Sequence, residues 1–369
     1  MDQKLQLQIR ALRKEKKVTQ KELAEALHVS FQTISKWENG ISMPDISYLP
    51  ALAMYFQVDV EVVLGMRPLE QKVTAPDYSS EEYWEQQLEC TKNWKIFYFN
   101  DDYLEFLVKK VWKFDRPVKM LDCACGYGYL AEKIFPHLPE GSTYTGFDAS
   151  EMYLEEGRKR FGKDNPAVRF VKGNILDYKS PEKFDLVISQ MILSYLSDPE
   201  SAIDRMMQML KPGGMLASID ISLPLAEDGF FIAQGNKPYK PQIPSPDKVW
   251  EYMQEHGIMN VQSGTEMAFL FRKKGLRHVD ARLSDRVFIY DGNFPEGREE
   301  ELAKYRNVIE HLERVEKGYA FYLNRGCSLP EAEAFMKYQE DVLQLLQEGD
   351  VFVSKRSGLY ITWGYCMSG

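Results

Sequence analysis

The stretch KMLDCACGYGYL, residues 119–130, decides the fold. An apolar run beginning at Val118 predicts a buried strand, and the Ala124–Gly128 turn that follows opens a predicted helix. A glycine-rich turn from strand to helix lets the backbone approach a ligand closely and aims free helix N–H groups at it. Asp148 ends the next predicted strand, 20 residues past Gly128, where a carboxylate can accept from both hydroxyls of a ribose. Ala124-x-Gly126-x-Gly128 lacks the last glycine of the dinucleotide pattern GxGxxG, and the turn alone leaves the ligand open.

Working outward, short apolar runs alternate with helical spacing: VKMLDC, TYTGF, VRFV, FDLVIS and MLASIDI. That alternation predicts a mostly parallel sheet with helices on both faces. The ordered series KMLDCACGYGYL, Asp148, VRFVKGNILDY and FDLVISQMILSYLSDPESAIDRMMQMLKPGGMLASID resembles class I S-adenosylmethionine-dependent methyltransferases, in the small-molecule, ubiquinone-biosynthesis-like branch. The resemblance covers about residues 117–222 and implies a Rossmann-like doubly wound α/β sheet. It implies S-adenosylmethionine as cofactor. Asp122, Ala124, Gly126 and Gly128 would surround the methionine portion, and Asp148 with Ala149 the ribose. Asn174 and Ile175 would read the adenine, and Gln190 would lie beside the sulfonium, next to Met191. Two residues depart from the pattern: Ala124 replaces the first glycine of the loop, and Asn174 stands where an aspartate is usual.

The N-terminal stretch VTQKELAEALHVSFQTISKWENGISMPDISYLPALAMYFQVDVEVVLG has helical spacing, with Thr19 and Ser30 as N-caps and Asn39-Gly40 as a helix end. It resembles the helix-turn-helix domain of the Cro/CI (XRE) repressor family, which implies an all-α domain that binds duplex DNA through residues 1–66, as a homodimer. His28 occupies the tight-turn position where glycine is usual, so a positive φ is expected there. On a recognition helix at 30–38, Ser30, Phe31, Gln32, Ser35 and Lys36 face outward while Ile34 and Trp37 turn in. Gln32 can pair with adenine, Lys36 can donate to guanine or phosphate, and Phe31 can touch a thymine methyl. Gln20 would meet a phosphate at a helix N-terminus. Seven of the ten charged residues within 10–36 are basic, Arg13 among them, on a chain of net charge −9.

The remaining features bound the function. The 369 residues, 44% hydrophobic and 27% charged, suit two or three domains. No apolar run reaches the roughly 18 residues of a membrane span, and the opening MDQKLQLQIR does not read as a signal peptide. Five cysteines, an odd number, read as reduced thiols of a cytoplasmic protein. Cys123 and Cys125 have no second pair at ligand spacing, so no metal site is expected. Ten aromatic residues fall within 81–115, about twice the chain's 13%. The resemblance makes this segment a cap over the cofactor, with Tyr98 and Tyr103 lining the acceptor pocket. Ser189-Gln190-Met191-Ile192 follows the fourth strand in place of the motifs of DNA base methylation, which points to a small hydrophobic or aromatic acceptor.

The expected organisation is a helix-turn-helix domain at 1–66, a linker at 67–80, cap helices at 81–116 and a methyltransferase domain at 117–369 with a helical lid insertion near 295–350. VDARLSDRVFIYD and GLYITWGYC read as the last two strands, and Ser263 with Glu266 as a capping box. Two functions fit: an enzyme that regulates its own operon, or a regulator whose methyltransferase fold only senses a ligand. A third uses DNA merely as an anchor.

Overall fold

The computed structural model describes residues 7–66, 81–162, 165–228, 230–239, 245–294, 296–316, 322, 325, 327–348 and 350–367. The expected linker at 67–80 lies outside them. The chain divides into two compact units: Met1–Pro76 with Pro241–Tyr252 and Ile309–Gln347, and Asp77–Lys240 with Met253–Val308 and Glu348–Gly369.

In the first unit, helices α1 (Ile9–Glu15), α2 (Gln20–Ala26), α3 (Phe31–Glu38), α4 (Tyr48–Phe56) and α5 (Val60–Val63) enclose a core of Ile9, Leu23, Ile34, Trp37, Leu52 and Val62. Both expected N-caps form. Thr19 and Glu22 make a reciprocal capping box on α2, and the Ser30 hydroxyl accepts from Thr33 N–H on α3. His28 has φ +54°, the left-handed turn its position requires. Elsewhere in this unit, helix Leu329–Glu348 is preceded by Ser328, whose N–H and hydroxyl both donate to Glu331, at 2.7 and 2.8 Å. Glu331 also pairs with Lys248 at 2.7 Å. Of the two helices in the expected insertion, Glu299–Glu316 straddles the division between the units.

The second unit is built on a seven-stranded sheet of order β3-β2-β1-β4-β5-β11-β8. Its strands are β1 (Lys119–Cys123), β2 (Thr143–Asp148), β3 (Val168–Lys172), β4 (Phe184–Gln190), β5 (Leu210–Ile221), β8 (Arg277–Leu283) and β11 (Leu359–Tyr365). β1 to β5 pair in parallel and β11 runs antiparallel to both neighbours. One face is covered by α9 (Tyr129–Lys133), α10 (Glu151–Phe161) and the cap segment, the other by α11 (Pro199–Gln208) and α14 (Ser263–Lys273). Chain order reverses between β1 and β4, and ligands of such open sheets bind beyond the strand carboxyl ends at that switch point.

Two sequence expectations are corrected here. VDARLSDRVFIYD is two strands in two sheets, because Ser284–Arg286 is pinned to the cap. The Ser284 hydroxyl bonds Tyr98 O, Asp285 accepts from Asn100, and Arg286 donates to Asn100 and Glu301. The residues beyond form β9 (Val287–Asp291), which joins β6 (Phe230–Gln234), β7 (Lys237–Pro238) and β10 (Val351–Arg356) in a second antiparallel sheet; β9 and β10 flank the range 295–350, where the described elements are helices. The Ser263–Glu266 capping box is also absent: Gln262 is the N-cap, Ser263 is buried against the Asp220 carboxylate, and Glu266 accepts from Asn260.

Candidate active site

The turn after β1 is held by its own backbone geometry and by one carboxylate. Ala124, Gly126 and Gly128 have φ values of +56°, +56° and +83°, so the chain passes three times through the left-handed region. At Gly128 a Cβ would sit 2.7 Å from the Phe170 ring, so only glycine fits. Ala124 is the exception: an L-residue in this region costs about 1–2 kcal/mol. Ala124→Gly is therefore expected to raise stability by about 0.5–1 kcal/mol, after the offset of glycine's extra unfolded freedom. A thermal midpoint equal to or below that of the parent protein would contradict this account.

Asp148 closes the turn. One carboxylate oxygen accepts from Gly126 N–H at 2.8 Å and the other from Ser150 N–H at 2.9 Å. Burial raises its pKa, against the pull of these N–H groups and of the Lys95 charge. Asp122 lies deeper, 1% exposed at the end of β1. One of its oxygens accepts from the Tyr144 hydroxyl at 2.7 Å; the other, Oδ1, is buried with no donor among the described residues. Burial pushes the Asp122 carboxyl up to about 7.

Lys95, which the sequence reading passed over, completes this cluster. Its ammonium sits 4.4 Å from the Tyr127 ring centroid and 4.7 Å from that of Tyr129, within the fields of Asp122 and Asp148. Burial lowers its pKa to about 8. Its carbonyl accepts from the Tyr129 hydroxyl at 3.1 Å, which ties the cap to the start of α9. The only prior signal was a lysine inside the aromatic-rich run KNWKIFYF.

The other expected residues divide. Tyr98 packs edge-on against Tyr129, 6.3 Å between centroids, beside the glycine turn. Tyr103 is not brought there: its hydroxyl donates to Leu283 O at 3.0 Å, at the end of edge strand β8. Gln190 ends β4 with a buried amide nitrogen that has no acceptor among the described residues. The next residue, Met191, is like Ala124 a non-glycine in the left-handed region, at φ +57°. Strain of this kind clusters at functional sites. Asn174 is exposed, and its amide oxygen accepts from Leu176 N–H at 2.9 Å, which leaves one lone pair open. Ile175 is buried in the core beneath the sheet, and Ala149 is half-buried beside Asp148. Among the described residues no cluster of His, Cys, Asp and Glu could hold a metal ion.

Residues 120–214 match the family model described as a methyltransferase domain, and residues 9–63 match one described as helix-turn-helix. The chain joins an XRE-type helix-turn-helix domain to a class I methyltransferase domain. Within the methyltransferase domain it is 32% identical over 98 residues to ubiquinone biosynthesis O-methyltransferase of Vibrio atlanticus, 26% of this chain and 40% of the relative. It is 27% identical over 106 residues to malonyl-[acyl-carrier protein] O-methyltransferase of Halalkalibacterium halodurans, 28% of this chain and 38% of the relative. The chain thus spans about two fifths of the length of these curated relatives. Among solved structures, phosphoethanolamine N-methyltransferase 2 of Haemonchus contortus aligns with 72% of this chain and 52% of its own, at 16% identity and a TM-score of 0.40.

In the helix-turn-helix domain, Phe31, Gln32 and Lys36 are exposed on α3 and Ser35 is half-buried, while Ile34 and Trp37 are buried. Ser30 spends its hydroxyl on the cap of α3. Arg13 is bound to Glu38 through two guanidinium nitrogens, and the Gln20 amide donates to the same carboxylate at 2.7 Å. Through these bonds Arg13 and Gln20, both half-buried, tie α1 and α2 to the end of α3. Among the described residues no helix is long and apolar enough to cross a membrane.

Proposed function

We propose that the methyltransferase domain binds S-adenosylmethionine and transfers its methyl group to a small acceptor, and that the helix-turn-helix domain binds duplex DNA as a homodimer at an operator of its own gene cluster. The observation that carries the first part is the turn Ala124–Gly128 clamped by Asp148 through Gly126 N–H at the switch point of the sheet. The donors and acceptors there fit that cofactor. Asp122 Oδ1 has no donor among the described residues, which suits an acceptor for an amino group. Lys95 supplies a cation for a carboxylate, and the remaining capacity of Asp148 suits a ribose diol. Asn174 and Ile175 are assigned to the adenine, and Ala149 to the ribose rim.

S-adenosylmethionine supplies an already activated methyl group, so the protein's part is alignment and exclusion of water. The rings of Tyr98, Tyr127 and Tyr129 wall the turn, and Gln190 at the end of β4 offers an amide N–H that has no acceptor among the described residues. Calorimetry on the full chain tests the assignment: saturable binding of S-adenosylmethionine and of S-adenosylhomocysteine is expected. Binding of NAD in their place would overturn it. Formation of S-adenosylhomocysteine on incubation with cell extract separates an enzyme from a sensor.

The exposed row Phe31, Gln32 and Lys36 carries the second part. Two recognition helices would span half-sites about 34 Å apart. Gln32→Ala and Lys36→Ala are each expected to weaken operator binding by about 1–3 kcal/mol, and affinity should fall steeply with salt. Anisotropy titrations at several salt concentrations check both statements, and salt-independent binding would contradict the assignment.

A further inference from the structure

We propose that Lys355 is the anchor for a negative charge on the methyl acceptor, and that the acceptor is a planar monocarboxylic acid. The inference rests on the reading of this domain as a methyltransferase. Lys355 lies on β10 of the second sheet, opposite Phe230 on β6 and Phe288 on β9. Its ammonium stands 5.8 Å from the Trp94 ring centroid and 5.5 Å from that of Phe230. Phe288, fully buried, packs edge-on against Phe97 at 4.9 Å, so this face of the second sheet lies on the cap. The end of β10 is tied to the segment after β5: Arg356 donates to Leu225 O at 2.9 Å, and Ser222 N–H donates to Gly358 O at 3.0 Å. Lys355 therefore sits on the side of the main sheet where the strands end and the glycine turn lies.

Among the described residues no carboxylate comes within ion-pair distance of Lys355; Glu227, on α12 (Leu223–Asp228), acts only at longer range. Burial lowers its pKa. Lys355 is half-buried, and a desolvated ammonium without an ion-pair partner is costly. Neighbouring cap residues meet two cations of this kind: Lys95 is one, facing the glycine turn, and the Trp94 ring meets the other, Lys355. Lys355 brings one positive charge, enough for one carboxylate; the negative field of Glu227 adds to the cost of a second ligand charge and so disfavours a phosphomonoester dianion. Two flat ring faces suit a planar apolar body.

Calorimetric titrations of the full chain with benzoate, benzamide and phenyl phosphate, in the presence of S-adenosylhomocysteine, test this. Benzoate should bind at least about tenfold tighter than its neutral isostere. Lys355→Met should abolish that preference, and Lys355→Arg should keep it. Benzoate binding should also weaken as pH rises through a range below the ordinary lysine value of 10.5. Equal affinity for benzoate and benzamide, no benzoate binding at millimolar concentration, or a preference that survives Lys355→Met overturns the proposal. Tighter binding of phenyl phosphate overturns the monocarboxylate class. If the methionine variant fails to fold, the arginine variant and the pH profile decide. Cofactor affinity is measured in parallel: its absence with the acid preference intact removes the methyltransferase reading alone, and the reverse removes only this proposal.

Discussion

Asp148→Ala is expected to weaken S-adenosylmethionine binding by about 3 kcal/mol, roughly 100-fold. Two losses combine. The ribose diol would lose its charged acceptor, and hydrogen bonds to charged groups contribute roughly 1.5–3 kcal/mol. The turn would also lose the carboxylate that holds Gly126 N–H at 2.8 Å, so the backbone that faces the cofactor would no longer be set in advance. Asp148→Asn keeps one acceptor oxygen and should lose less. The pH dependence has a definite sign. The folded pKa of Asp148 is raised above its ordinary 3.8, chiefly by burial, so protonation begins at a higher pH than for a free aspartate. Affinity should then fall on acidification, starting above pH 3.8, and the alanine variant should show none of that fall. Calorimetry across this pH range checks both, and equal affinity of parent and alanine variant would sink the ribose assignment.

What could be read from the sequence, and what could not, follows the range of the physical interactions involved. The turn at 124–128 was legible because glycine placement and strand-to-helix order are local: Gly126 and Gly128 do adopt positive φ, and Asp148 does end β2. The N-caps Thr19 and Ser30 were legible for the same reason. Lys95 was not, because its meaning depends on Tyr127, Tyr129, Asp122 and Asp148, which lie 27 or more positions away along the chain. Asp220 shows how a distant buried group overrides a local pattern. It is 1% exposed, its carboxyl is pushed up to about 6 by burial, and it draws in Ser218, Ser194 and Ser263. The serine it claims is the one whose spacing to Glu266 suggested a cap. The two-strand break at Ser284–Arg286 has the same origin, since the polar triplet answers to Tyr98 and Asn100 nearly 190 positions earlier. Tyr103 shows the same long-range draw, its hydroxyl donating to a backbone carbonyl at the sheet edge 180 positions later.

Glu38→Ala should cost the helix-turn-helix domain about 3 kcal/mol, a large share of the 5–15 kcal/mol by which domains are stable. The Glu38 carboxylate is fully buried, and the partner Arg13 side chain is 14% exposed. Arg13 comes from α1, Gln20 from α2 and Glu38 from the end of α3, so this one carboxylate fixes the recognition helix against both of its neighbours. Removing one partner of a buried pair leaves the other charged and unsatisfied, which typically costs 3–5 kcal/mol; the residual exposure of Arg13 places this case at the low end. Replacing both partners, as in Arg13→Met with Glu38→Leu, should recover much of the loss, because no orphaned charge remains. The acid response follows from the same contacts. Burial alone would raise the Glu38 pKa, but the bonds from Arg13 and Gln20 outweigh it, and the folded value lies below the ordinary 4.5. The contribution is therefore complete above pH 4.5 and is lost as pH falls through the lower folded value; Glu38→Gln should remove that dependence. Hydrogen–deuterium exchange of the full chain reads the effect directly: amides of α3 should exchange about 100-fold faster in Glu38→Ala, while those of β1 and β4 keep their protection. Unchanged exchange in α3 would show that the carboxylate is dispensable to its packing.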